Sequence, residues 1–181
     1  MILFFYCIFL QETYEIQDGI YYNPFTSNAN GFTVPSAVSS QSIYGFSNNG
    51  WKYGNVSEQM PLSTPITNNC SVEFILTDYS GGGYPTPVFR GYNGNTIVFS
   101  CFAQWSNNGW WLGSSNTKIS SNAPVKGATY RLDITPTTLK LYENDVLIGT
   151  VNQSNTASME LRLESGTNRF AELKDFKIKP L

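Results

Sequence analysis

Residues 138–151 read TLKLYENDVLIGTV, and their alternation decides the architecture. Leu139 and Leu141 alternate with Lys140 and Tyr142, a period of two that sends successive side chains to opposite faces of a strand. Asn144-Asp145 separates this run from VLIGTV, and both residue types tolerate the positive φ that a two-residue hairpin turn demands. Such a turn sets Tyr142 opposite Leu147 and Leu141 opposite Ile148. One face, carrying Leu139, Leu141, Val146 and Ile148, is then oily, and a hairpin with one oily face needs a second layer to cover it.

The same grammar recurs along the 181 residues. SVEFILTDY (71–79), TPVFRGY (86–92), NTIVFSCFAQW (95–105), GWWLGSS (109–115), ATYRLDIT (128–135), SMELRLES (158–165) and FAELKDFKIKP (170–180) alternate or run apolar at strand length. GGGYP, YNGN, SSNAP, TPTT and ESGTN lie between them, built from the residues that turns select. Aromatics make up 15 % of the chain and charged residues 13 %, a balance that suits sheets rather than solvated helices. The fold class predicted is all-β, an antiparallel two-sheet sandwich. A chain of this size buries roughly 70 % of its unfolded surface as one domain. We divide that domain into a first-strand region at 1–22, a loop-rich segment at 23–42 and the main strands at 43–181.

Composition removes several kinds of chemistry. Eleven basic residues against 13 acidic ones leave a net charge of −2 with no basic cluster, so nucleic acid is excluded as a partner. The chain has no His, which removes the commonest general base, the commonest metal ligand and every Ser-His or Cys-His pairing. Cys7, Cys70 and Cys101 form no C-x-x-C pair and leave one over; buried free thiols are expected, with a Cys70–Cys101 bridge as the alternative. Asn55-Val-Ser, Asn69-Cys-Ser and Asn152-Gln-Ser match the glycosylation pattern, as an Asn- and Ser-rich chain does by chance. MILFFYCIFL (1–10) lacks the basic start and the cleavage site of a secretion signal. It is also shorter than the ~18 residues of a membrane span. It reads as a buried strand.

GFSNNGWKYGN (45–55) returns as QWSNNGWWLGS (104–114), which we read as two similar Asn-Gly turns. With Asn108-Gly109 as the turn, Trp105 faces Leu112 on the side that carries Ile97, Phe99 and Cys101, so Trp105 belongs to the core. The other side displays Phe102, Gln104 and Trp111; in the first copy Lys52 stands in the place of Trp111. An outward indole with amide neighbours is the equipment with which proteins hold sugars. Arg90 and Tyr92, on one side of VFRGY, extend that surface, with GGGYPTP (81–87) as a lip, and Trp51 with Tyr53 form a second candidate.

YRLDI, LKLYENDVLIGTV and AELKDFKIKP, within Tyr130–Leu181, resemble strands of the concanavalin-A-like and laminin-G-like sandwich superfamily, with Asp145 where that group usually has Gly. The resemblance implies a jelly roll whose first and last strands are neighbours, ILFFYCIF beside ELKDFKIKP. Some members are retaining β-glucanases with a Glu-x-Asp-x-Glu strand. Here MELRLES puts Glu160 and Glu164 on one face with Arg162 in the middle position, and that departure, late in the chain, argues for no catalytic residue. Calcium occurs in relatives, but the acids here are dispersed and no metal or cofactor is expected. The resulting expectation is a non-catalytic module recognising a glycan or cell-surface polysaccharide, on a cell surface or a virion, through Trp111, Phe102, Gln104, Arg90 and Tyr92. The rival expectation is an assembly subunit whose aromatics dock another protein.

Overall fold

The computed structural model describes residues 15–17, 20–81, 85–104 and 109–181. In chain order the elements are β1 (Glu15–Gln17), β2 (Ile20–Asn23), α1 (Ser36–Ser39), β3 (Gly45–Ser47), β4 (Gly50–Gly54), β5 (Glu58–Pro61), β6 (Ile66–Thr67), β7 (Cys70–Gly81) and β8 (Pro85–Asn93). They continue with β9 (Thr96–Gln104), β10 (Gly109–Leu112), β11 (Thr117–Ser120), β12 (Ala128–Ile134), β13 (Thr138–Glu143), β14 (Val146–Asn152), β15 (Ser158–Ser165) and β16 (Arg169–Pro180). One sheet has nine strands in the order β1-β2-β16-β7-β12-β13-β14, with β4 also on β16 and β3 on β4. The other has seven, β11-β10-β9-β8-β15-β5, with β6 also on β15. Every pairing among the described residues is antiparallel. The fold is the concanavalin-A-like jelly roll. No helix among the described residues is long and apolar enough to cross a membrane.

The opening hairpin forms as its alternation requires, with one departure. Asn144 and Asp145 take φ of 48° and 63°, the two positive values of a tight hairpin turn, and Tyr142 pairs with Leu147. Leu141 then pairs with Gly149 rather than Ile148, because the register shifts between Leu141 and Tyr142 and leaves Ile148 as the extra residue of a bulge. Leu139 and Leu141 join Tyr130, Leu132 and Ile134 in the dry layer between the sheets, and Ile148 packs at its margin. Val146, expected in that layer, is 69 % exposed at the hairpin tip.

The repeated pentapeptide makes two matching structures. Trp51 and Trp110 are both buried, as are Tyr53 and Leu112 two residues later. Each copy opens on a glycine that no other residue could replace: a Cβ on Gly50 (φ +123°) would lie 2.2 Å from the Leu173 carbonyl oxygen, and one on Gly109 (φ +152°) 2.0 Å from that of Ser120. The turns themselves differ from the Asn-Gly expectation. In the first copy Ser47 pairs with Gly50, so Asn48-Asn49 is the turn. In the second Gln104 pairs with Gly109, so the connection has four residues instead of two. Trp105 and the apolar segment 1–10 lie outside the described residues.

The 23–42 segment contributes to the core despite its polar composition. The Asn23 side chain accepts from Phe25 N–H at 2.8 Å, holding Phe25 at φ 58° so that its ring is buried, and Phe32 is buried beside it. Cys70 and Cys101 are free and buried. Burial pushes the Cys70 thiol up to about 12 and raises Cys101 as well.

Two outcomes follow. Leu141→Ala should lower unfolding free energy by about 2–5 kcal/mol, the cost of a core cavity, whereas Val146→Ala should stay within about 0.5 kcal/mol of the native protein; urea titration separates them. Iodoacetamide at neutral pH should leave Cys70 and Cys101 unmodified until denaturant is added, as read by peptide mass spectrometry.

Candidate functional site

Strand alternation builds a second surface on the outer face of the seven-stranded sheet. Because Met60, Leu161, Leu163, Phe89 and Cys101 point into the core, their chain neighbours point out. One row of cross-strand partners runs Gln59, Glu164, Val88, Phe102, Trp111, Lys118, over six adjacent strands. At about 4.8 Å per strand this row is about 24 Å long. A second row runs Pro61, Arg162, Arg90, Ser100, and a third pairs Glu160 with Tyr92.

The β5–β15–β8 end of this face is a closed polar network. Arg90 Nη1 lies 2.8 Å from Glu164 Oε2. Tyr92 donates its hydroxyl to Glu164 Oε1 at 3.0 Å, and Gln59 Nε2 donates to both the Tyr92 oxygen (2.8 Å) and Glu164 Oε1 (3.0 Å). Arg162 donates to Gln59 Oε1 at 2.7 Å and to Glu160, while its guanidinium lies 3.9 Å over the Tyr92 ring. Burial first, and the adjacent Glu164 charge second, raise the Tyr92 pKa, so this hydroxyl stays a donor. Arg90 Nε is enclosed without an acceptor among the described residues. Beside it a depression of about 440 Å³ is lined by Ser57, Glu58, Gln59, Arg90 and Glu164.

The β9–β10–β11 end is aromatic. Phe102 and Trp111 stack with ring planes 5° apart and centroids at 5.6 Å, and the Lys118 ammonium lies 5.2 Å from the Trp111 ring centroid. Val88, Phe102 and Tyr92 are buried but are not members of the interlayer core. They form a small apolar floor on the opposite side of the sheet. Trp111 is half-buried and rises from its edge.

Of the residues singled out in the sequence, Trp111, Phe102, Gln104, Arg90 and Tyr92 share this face. The change of connection left their parity intact, because the register moves by an even number of residues and so returns every side chain to its original face. Trp51 and Tyr53 do not join them: both are core residues, 0 % and 1 % exposed, since β4 turns that parity into the core, where the Trp51 ring meets Phe25 and Phe32. Lys52 is the outward residue there, 3.5 Å from Asp78 and over the Phe170 ring. Gln59, Glu58 and Lys118 escaped the sequence reading because β5 and β11 are four-residue strands too short to show a period.

Glu160 and Glu164 do share the face, but their chemistry is occupied. Retaining hydrolysis needs two carboxyl groups ~5–5.5 Å apart across the scissile bond, whereas residues four apart on one strand are separated by ~13 Å of backbone. Arg162 stands between them and binds Glu160, and Glu164 is held by Arg90, Tyr92 and Gln59. No three His, Cys, Asp or Glu side chains among the described residues group as metal ligands would.

No sequence-family model matches the chain, and no curated protein matches it in sequence. Solved structures do. A Crh5 transglycosylase in complex with NAG superposes with a TM-score of 0.64 at 12 % identity, covering 89 % of this chain and 83 % of that one. A carbohydrate-binding module, CBM66 from Bacillus subtilis, gives 0.60 at 14 % identity over 86 % of this chain and all of the module. A Bacillus licheniformis β-glucanase gives 0.61 at 11 % identity over 91 % of this chain and all of the enzyme. At these identities what is shared is the fold, a concanavalin-A-like jelly roll.

Removing one member of the polar network exposes its cost. Arg90→Ala, which strips Glu164 of its cation, should lower stability by about 1–3 kcal/mol, and Glu164→Gln, which keeps acceptors for Tyr92 and Gln59, by less. Parallel urea melts give the order.

Proposed function

We propose that the chain is a non-catalytic glycan-recognition domain whose ligand lies on the outer face of the seven-stranded sheet. The observation that carries this reading is the row itself. A half-buried indole braced against Phe102 stands at one end, and fixed donors and acceptors on Arg90, Tyr92, Gln59 and Glu164 stand at the other. Sugars present an apolar C–H face and a rim of hydroxyls, and that row offers a partner for each. The Lys118 ammonium over the Trp111 ring adds a hydrogen-bond donor beside the indole. The non-catalytic part of the proposal is supported by the engagement of Glu160 and Glu164 with guanidinium groups. Among proteins of this fold, one is a carbohydrate-binding module and another was solved with NAG, which supports sugar as the ligand class. The setting proposed with it is a cell surface or a virion, where polysaccharide is presented.

A polysaccharide and glycan array probed with the full chain tests the proposal. Binding is expected, with affinity falling by about tenfold or more in Trp111→Ala, the loss of one stacked aromatic, while the melting temperature holds. An array with no bound glycan overturns recognition. Product release from a bound glycan that disappears in Glu160→Gln overturns the non-catalytic assignment.

A further inference from the structure

The exposed tip of the β13–β14 hairpin lines a second cleft, separate from the outer face. Strands β10 and β11 close its other side, and its volume is about 250 Å³. Trp110 forms the floor, 1 % exposed, with its Nε1 enclosed and its ring centroid 4.7 Å from that of Tyr130. Ser120, Asn122 and Glu143 supply the polar rim. Val146, Leu147 and Ile148 form the apolar wall, and the first two are 69 % and 50 % exposed. These are the residues that the hairpin pattern alone would send partly into the core. The bulge at Ile148 shifts the register there and gives the wall to the cleft instead.

We propose that this cleft is a binding site for one small neutral polyol, the size of a single sugar ring. Its volume lies below the roughly 300–1,000 Å³ of drug-sized pockets, so it has room for a ring and not for a chain. Glu143 is the charged group of the lining, which disfavours an anion. Glu143 Oε2 already accepts from the Tyr130 hydroxyl at 2.6 Å, which fixes the side chain; its other oxygen, the Ser120 hydroxyl and the Asn122 amide are hydroxyl-binding groups. The exposed Val146–Leu147 wall fits the C–H face of the same ring. The inference does not depend on the outer-face reading, since none of the residues involved belongs to that row.

The test is an NMR titration of the ¹⁵N-labelled full chain with glucose, galactose, mannose, fructose and N-acetylglucosamine, each alone, watching the tryptophan indole N–H resonances. The expected result is a saturable shift of the Trp110 indole and of the Ser120, Glu143 and Leu147 amides with at least one sugar. The shift should survive Trp111→Ala, weaken by about tenfold in Glu143→Gln, and vanish in Val146→Trp, a change at an exposed residue that fills the cleft. No Trp110 shift with any of the five sugars, or a shift unchanged in Val146→Trp, overturns the proposal. A Trp110 shift that depends on protein concentration alone, and that Val146→Asp removes, assigns the cleft to a second copy of the chain and overturns it too. Failure of the outer-face reading is seen separately, as a Trp111 indole unmoved by oligosaccharides.

Discussion

Seven buried rings run in contact through the layer between the sheets, and the rest of the structure is arranged around them. Trp110 meets Tyr130 at 4.7 Å, Tyr130 meets Phe74 at 5.6 Å, and Phe74 meets Phe89 across the layer at 4.6 Å. Phe89 meets Phe176 at 6.2 Å, Phe176 meets Phe25 at 5.5 Å, and Phe25 meets Trp51 at 5.1 Å. The run crosses the layer at Trp110–Tyr130, Phe74–Phe89 and Phe89–Phe176, so it ties the two sheets together where hydrogen bonds cannot, and each ring pair adds about 0.5–1.5 kcal/mol beyond the area it buries. Its two ends are the tryptophans of the repeated Ser-Asn-Asn-Gly-Trp sequence. That repeat therefore has a structural use: each copy delivers an indole to one end of the core from a strand whose first glycine lets the backbone pass close to its neighbour.

A dry interior on one side of every strand dictates what the other side can be. On the nine-stranded sheet the outward residues pair charge with charge and ring, as in Arg131 between Asp133, Asp145 and the Tyr142 ring. Such exposed pairs contribute little individually. The outer face of the seven-stranded sheet differs in kind, because Val88, Phe102 and Tyr92 are buried there as well. The Arg90–Glu164–Tyr92–Gln59 network sits at the border of this apolar floor with most of its hydrogen bonds already made. Groups held that firmly have little freedom left to lose.

Alternation carried most of what was legible. Leu139 and Leu141 were placed in the interlayer from period two alone, and Phe102 and Trp111 on one face by parity. Parity is insensitive to what the sequence hides: a connection of four residues rather than two after Gln104 moves every partner but flips no side chain. A bulge does the reverse. The extra residue at Ile148 has no signature in VLIGTV, since its effect depends on where β13 offers its hydrogen bonds. Trp51 and Tyr53 were legible and misassigned. Their match to Trp110 and Leu112 in the repeat already paired them with residues of inward parity, and only Lys52 shared the outward position of Trp111. The strands β5, β6 and β11 were illegible because two to four residues cannot display a period.

Trp110 and Trp111 are consecutive, and that ties the two faces of β10 together mechanically. One indole floors the cleft beside the hairpin and the other stands on the outer row. The pairing of β10 with β11 shifts register between these two residues, and that of β13 with β14 shifts between Leu141 and Tyr142, so irregularities border the cleft on both sides. Bulges re-aim side chains by twisting the strand that holds them, and a pleated strand cannot twist on one face alone. A substitution at Trp111 that disturbs the twist of β10 is therefore felt at Trp110 as well, whereas a ligand that only covers one indole leaves the other unchanged. The environment of Trp110 is accordingly the internal control for any substitution at Trp111: a change felt by both residues reports the strand, and a change felt by one reports a ligand on its own side.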